Sequence, residues 1–223
     1  FYSSDSKYEN KILLSHNGLQ GAGTINFINS SSVSKSLFTF LPDSTVGIVS
    51  FVNRPSETEV QFPPVESDEA YIKYIPKQNT LKVSSLPNKE INFFGGEARL
   101  RGTLSIQPIG MRGKGLMSFQ MATLISDDFS YNRYEIISDT ASFSLMNDYK
   151  NYAEGEDPLA FNTKNVSVKV SFKDRNGIFN SNEGESDVYF PVNQYMCKMD
   201  RFIWFMDEYQ IKMERQEDQN IAI

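Results

Sequence analysis

The chain has one cysteine and one histidine in 223 residues, Cys197 and His16. A single thiol excludes an internal disulfide framework. One Cys and one His also leave too few soft ligands for a zinc site. A Ser–His–Asp or Cys–His centre would have to use His16, which stands beside Asn17-Gly18 in an expected surface turn. Cys197 lies between Met196 and Lys198 in an apolar run and reads as a small buried hydrophobe. No apolar run reaches the roughly 18 residues of a membrane-spanning helix, and nothing resembles a signal peptide. The chain starts at Phe1 rather than Met, which reads as a piece cut from a longer protein. An excess of basic charge is also missing: Lys and Arg number 22 against 28 Asp and Glu, a net charge of −6 and a pI near 5.0. The nearest basic cluster, Arg99, Arg101, Arg112 and Lys114, sits among glycines and strand residues. No stripe to neutralise phosphates follows from it, so nucleic acid is not an expected partner.

What is abundant points to β structure. Hydrophobic residues make up 39% and charged residues 22%, enough apolar matter for a packed core. Phe (17) and Tyr (11) suit pleated, half-buried surfaces. Short alternating runs recur: Thr24–Phe27, Leu37–Phe40, Tyr71–Pro76, Leu81–Ser84 and Leu100–Ile106. Val46–Val52 is apolar nearly throughout, as in a strand covered on both faces. Lys77–Thr80 reads as a hairpin connection, and Asn176-Gly177 as a hairpin turn.

The runs are organised around a hexapeptide pattern that occurs twice, Gly18-Leu19-Gln20-Gly21-Ala22-Gly23 and Gly110-Met111-Arg112-Gly113-Lys114-Gly115, 92 residues apart. The correspondence continues: Phe119 answers Phe27, Phe129–Tyr131 answers Phe38–Phe40, Phe143–Asn147 answers Val49–Asn53, Val168–Val170 answers Ile72–Tyr74, and Asp187–Phe190 answers Glu90–Phe93. The drift in spacing is what loop insertions produce, and acidic Asp148–Pro158 is one such insertion. The expected organisation is therefore the end of a preceding unit at 1–17, units at 18–109 and 110–213, and a polar tail at 214–223. Units of about 92–97 residues are too long for single solenoid coils. The expected fold class is all-β, an elongated multi-strand repeat built as a β-solenoid or an open β-groove.

Residues 192–213 are ambiguous. Val192, Tyr195, Met196, Met199, Phe202, Ile203, Met206, Tyr209 and Met213 fall at helical spacing, with Pro191 suited to a first helical position. The corresponding stretch of the first unit, Glu97–Gln107, alternates with period two and carries Gly102, which favours strand.

Chemical constellations are sparse. The glycine pattern inverts the dinucleotide fingerprint and is followed by strand rather than helix. Lys114 is followed by Gly115 instead of Ser or Thr, so no phosphate loop results. The glycines read instead as tight corners or close backbone approaches. Asp174, Asn176 and Gly177 match only part of a calcium loop. Asp127, Asp128, Glu135 and Asp139 are the acids from which a glycosidase pair would be drawn, though acids in Ser/Asp-rich turns are ordinarily solvated. No catalytic, cofactor-binding or metal-binding residue is assigned. The candidate ligand-facing aromatics, for a sugar or lipid surface, are Tyr131, Tyr134, Phe202, Trp204 and Phe205. Filling the layer between sheets is their simpler role.

The string Leu100-x-Gly102-x-Leu104-x-Ile106-x-Pro108-x-Gly110-x-x-Gly113-x-Gly115, then Phe129-Ser130-Tyr131, then Asp139-Thr140-Ala141-x-Phe143, resembles repeat regions of very large Gram-negative envelope proteins. At a distance it is similar to AsmA/TamB-type chains. That resemblance implies a bacterial envelope or secreted setting and, for AsmA/TamB, a periplasmic β-groove that conducts lipid. Lys, Asp and Asn inside the strands depart from a uniform apolar groove stripe. The expected role is a non-catalytic structural or binding segment of a larger protein. Its expected partners are neighbouring repeat units of the same parent chain, with lipid or glycan as further ligands. A lipid-conducting groove and a carbohydrate-active enzyme on a β-solenoid are the alternatives.

Overall fold

The computed structural model describes residues 12–56, 59–147, 159–184, 186–208 and 210–214. Among them the chain is all-β, with nineteen strands, two single-turn 3-10 segments and no α-helix. It divides into two compact units, Phe1–Met117 with Ser130–Tyr134, and Ser118–Phe129 with Glu135–Ile223. The expected insertion at Asp148–Pro158, the stretch before Ile12 and the tail after Glu214 lie outside the described residues.

The first unit contains β1 (Leu13–Ser15), β2 (Gly18–Gly21), β3 (Thr24–Phe27), β4 (Ser30–Ser34), β5 (Phe38–Phe40), β6 (Thr45–Asn53), β7 (Val65–Ile75), β8 (Thr80–Ser85), β9 (Ile91–Phe93), β10 (Ala98–Gln107) and nearly all of β11 (Gly110–Ser118). Strand β7 is the hub. It pairs antiparallel with β6, with β8 along its second half and with β9 at its start, and β10 then pairs with β8 and β9. Alternation explains the burial. Ile72, Leu81, Val83, Ile91, Phe93, Leu100, Leu104 and Ile106 are all fully buried, while the intervening Lys73, Lys82 and Arg99 are exposed. Strand β6 departs from expectation, since one face is buried through Gly47, Val49 and Phe51 while Val52 on the other is 41% exposed. Its apolar run is thus a one-faced strand whose outward valines satisfy β-propensity rather than burial.

The second unit holds most of β12 (Ala122–Tyr131), then β13 (Glu135–Met146), β14 (Leu159–Ser171), β15 (Asn176–Ser181), β16 (Ser186–Phe190), β17 (Tyr195–Met199), β18 (Arg201–Phe205) and β19 (Ile211–Glu214). Residues 192–213 therefore contain strands, not a helix. Here β14 is the hub: it pairs with β13, β15 and β16, while β17 pairs with β16 and β18 with β15. The register matches that of the first unit. Ile72 lies opposite Val83, and Val168 opposite Phe179. Val83 lies opposite Leu104, and Phe179 opposite Phe202. Strands β7 and β14 bulge at the same step, between the partners of Val49 and Phe51 and between those of Ala141 and Phe143. Just before each bulge a buried hydroxyl donates to a carbonyl of the next strand region: Ser67 Oγ to Glu90 O at 3.4 Å, and Thr163 Oγ1 to Asp187 O at 3.0 Å.

An aromatic cluster forms the second core. Phe179 stacks on Phe202 at 4.4 Å, and Phe143 lies 4.4 Å from Phe179 and 5.5 Å from Trp204. Asn176-Gly177 is not the turn residue pair that its sequence suggests. Both residues are inside β15, and the left-handed turn residue is Arg175 (φ 57°). Gly177 instead makes room, because a Cβ there would lie 2.8 Å from the Phe179 ring and 3.2 Å from Trp204. The glycines of the doubled hexapeptide divide similarly. Gly18 (φ 93°) closes the β1–β2 hairpin facing open space. A Cβ on Gly115 would lie 2.2 Å from the Arg101 carbonyl, so Gly115 and Gly102 permit close backbone approach.

Candidate functional site

The aromatics marked for ligand contact do not form one surface. Tyr131, Phe202 and Trp204 are 3%, 2% and 2% exposed, which makes them core residues. Their alternation places them on the inward faces of β12 and β18. Tyr131 stacks on Phe93 at 4.9 Å, and its burial pushes the phenol far above its ordinary range. Phe205 is half-buried at the end of β18. Tyr134 alone is exposed, at 44%, with the Arg133 guanidinium 5.0 Å from its ring centroid.

The acids are engaged at the surface rather than gathered in a cleft. Glu135 pairs with Lys169 at 2.7 Å, and Asp127, Asp128 and Asp139 are exposed. Glu90 receives Arg101 at 2.9 Å and Arg99 at 3.6 Å. Asp207 accepts two hydrogen bonds from Arg175, at 2.9 and 2.6 Å, and these with the guanidinium charge hold its carboxyl below the usual range. Glu214 is lowered chiefly by its hydrogen bond from Lys212. His16 is exposed in the β1–β2 turn. Among the described residues no three of His, Cys, Asp and Glu are gathered to hold a metal ion. Asp174, from the partial calcium pattern, bonds Ser171 Oγ at 2.7 Å, which ties down the turn before β15.

An open groove of about 910 Å³ lies on the second unit. Its apolar wall is Phe190, Tyr195, Cys197, Met199 and Met213, drawn from β16, β17 and β19, with Lys198 and Glu214 among the polar liners. Cys197 is half-buried there. Tyr195 and Met213 are each 57% exposed, more than apolar side chains need be in a closed sheet. Sequence reasoning placed Tyr195, Met199 and Met213 in one apolar pattern but read no groove from it. The groove depends on β16, β17 and β19 converging, and no spacing rule supplies strand order. A polar pocket of about 330 Å³ lies beside the β14 bulge, where Asn165 (φ 56°) donates to Glu183 at 2.6 Å. Among the described residues these geometries offer apolar contact and surface ion pairing, and no convergent acid–base or nucleophile set. No protein-family model, curated protein or solved structure matches this chain.

Proposed function

We propose that the chain is a non-catalytic scaffold segment built of two equivalent β-units, belonging to a larger secreted or cell-envelope protein and binding neighbouring units of the same kind. The observation that carries this reading is the matched pairing of the units: β6–β10 and β13–β18 share the hub strand, the register on the far side of the hub, one bulge position and the buried hydroxyl just before that bulge, while β13–β14 carries two further register shifts. On that equivalence β10 corresponds to β17 and β18 together. Strands β1 and β2 correspond to the end of β10 and the start of β11. Leu14 and Leu19 are 88% and 38% exposed, whereas their counterparts Ile106 and Met111 are 0% and 1% exposed. Apolar side chains left open at otherwise buried positions are what a docking neighbour covers. The filled aromatic core of the second unit favours a scaffold over a lipid-conducting interior, since a conduit needs that volume open.

Cell fractionation with an antibody raised against this chain tests the setting. The parent protein is expected in the envelope or secreted fraction, and recovery in the cytosol alone would refute that part. Incubation with a panel of glycans is expected to give no turnover. Hydrolysis abolished by substituting Asp127 or Glu135 would instead establish the enzymatic alternative.

A further inference from the structure

The groove of the second unit has a counterpart in the first, and there it is filled. Phe93 lies opposite Ala98 and Ile91 opposite Leu100, as Phe190 lies opposite Tyr195 and Val188 opposite Cys197. A Cβ on Gly113 would touch Leu104, the counterpart of Phe202, and Phe202 lies opposite Met213. Phe190, Tyr195, Cys197 and Met213 thus stand where Phe93, Ala98, Leu100 and Gly113 stand. In the first unit Tyr131 occupies that place. It is 3% exposed, stacked on Phe93 at 4.9 Å, and its hydroxyl lies 2.9 Å from where a Gly113 Cβ would be. In the second unit the same place is the groove of about 910 Å³, and Phe190 is half-buried rather than covered.

We propose that this groove is a docking site for an aromatic side chain carried on a β-strand of a further all-β unit, seated on Phe190 as Tyr131 is seated on Phe93. The occupant is argued from the filled counterpart: the equivalent walls take an aromatic delivered by the strand segment Phe129–Tyr131. Offset aromatic stacking supplies geometry as well as buried area. The flexible thioethers of Met199 and Met213 can adapt to a ring that is not in the position of Tyr131. Backbone pairing to a strand edge would supply the remaining affinity. This inference rests on the equivalence of the units, and not on where the parent protein resides.

The test uses Cys197, the sole thiol of the chain and part of the groove wall, as reporter. Its rate of modification by a small maleimide is measured with and without a peptide of residues 127–134. A peptide that docks at several times its dissociation constant slows modification about fivefold, because only the free groove reacts. The same peptide with Tyr131→Ser is expected to slow it less than about twofold, as loss of the ring removes the stacking contact. No slowing at millimolar peptide, or equal slowing by both peptides, overturns the proposal. So does protection by phosphatidylcholine vesicles where the peptide gives none. A failed peptide test beside an envelope location would remove the groove assignment and leave the scaffold reading standing. A cytosolic location beside a successful peptide test would do the reverse.

Discussion

Gly177 and Trp204 offer the sharpest physical test of the proposed equivalence of the units. Gly177 lies directly opposite Trp204, and at the equivalent register Leu81 lies opposite Ile106. One unit fills the site with two medium side chains, the other with one large side chain and none. Trp204→Ile alone leaves a cavity in a core where Trp204 is 2% exposed and packs on Phe119 and Phe143. Truncating a buried Trp to Ala costs about 3–5 kcal/mol, and Ile retains part of the volume, so about 2–3 kcal/mol is expected. Gly177→Leu alone overpacks. Its Cβ would lie 2.8 Å from Phe179 and 3.2 Å from Trp204, for an expected cost of about 1–3 kcal/mol. The double variant recreates the pair found in the first unit. It is expected to cost about 1–2 kcal/mol, so the coupling is about 3 kcal/mol in favour of the pair. Urea denaturation followed by far-UV circular dichroism measures this, since the substitution removes the only tryptophan. Additive losses would refute the reasoning, because they would mean that the two side chains do not share one volume.

Other perturbations separate further terms. Thr163→Val removes the donor to Asp187 O and is expected to cost about 1–2 kcal/mol in chemical denaturation, more than Ser67→Ala, whose longer bond to Glu90 O is shared with Glu69 O. Gly115→Ala drives a Cβ to 2.2 Å from a carbonyl at φ 131° and is expected to cost at least about 3 kcal/mol. Gly18→Ala, at φ 93° in open space, should cost only about 1 kcal/mol of backbone strain, and equal losses would contradict the close-approach reading. Asp207 has a depressed carboxyl pKa, so its contribution is present above the unfolded value and is lost as pH falls through the folded value. An NMR titration should find it below ordinary Asp, and Arg175→Gln should raise it. An unchanged titration in that variant would rule out Arg175 as the cause.

The strand content was legible because alternation and aromatic composition act locally. Leu81–Ser84 and Leu100–Ile106 are strands for the reason their sequences suggest. On the proposed equivalence of the units, sequence pattern and strand pairing align them two residues apart. Apolar alternation matches Phe143 with Val49, while pairing puts Phe143 opposite Thr163 as Phe51 is opposite Ser67. A period-two pattern is unchanged by a two-residue slip, so only the bulge breaks the tie, and a bulge leaves little trace in sequence. Asn176-Gly177 misleads for a different reason. The pair is a strong turn signal, yet the glycine is there to admit Trp204, a partner distant in sequence. The candidate aromatics failed as a surface because burial depends on which face of a strand turns inward. That choice is made by the partner strands.

The groove follows from the same interplay of register and volume. At three equivalent positions the first unit has Ala98, Leu100 and Gly113, and the second has Tyr195, Cys197 and Met213. The first set includes two small residues that leave space for the ring of Tyr131. The second replaces both with longer side chains, which extend the walls and stand 57% exposed. Covering Tyr195 and Met213 costs rotamer freedom, which contact with whatever covers them must outweigh. A surface that receives a partner gains contact area from both. The changes therefore argue against simple loss of a core filler and for a seat shaped to a different strand. Its aromatic would lie between Phe190 and Met213 rather than against bare backbone.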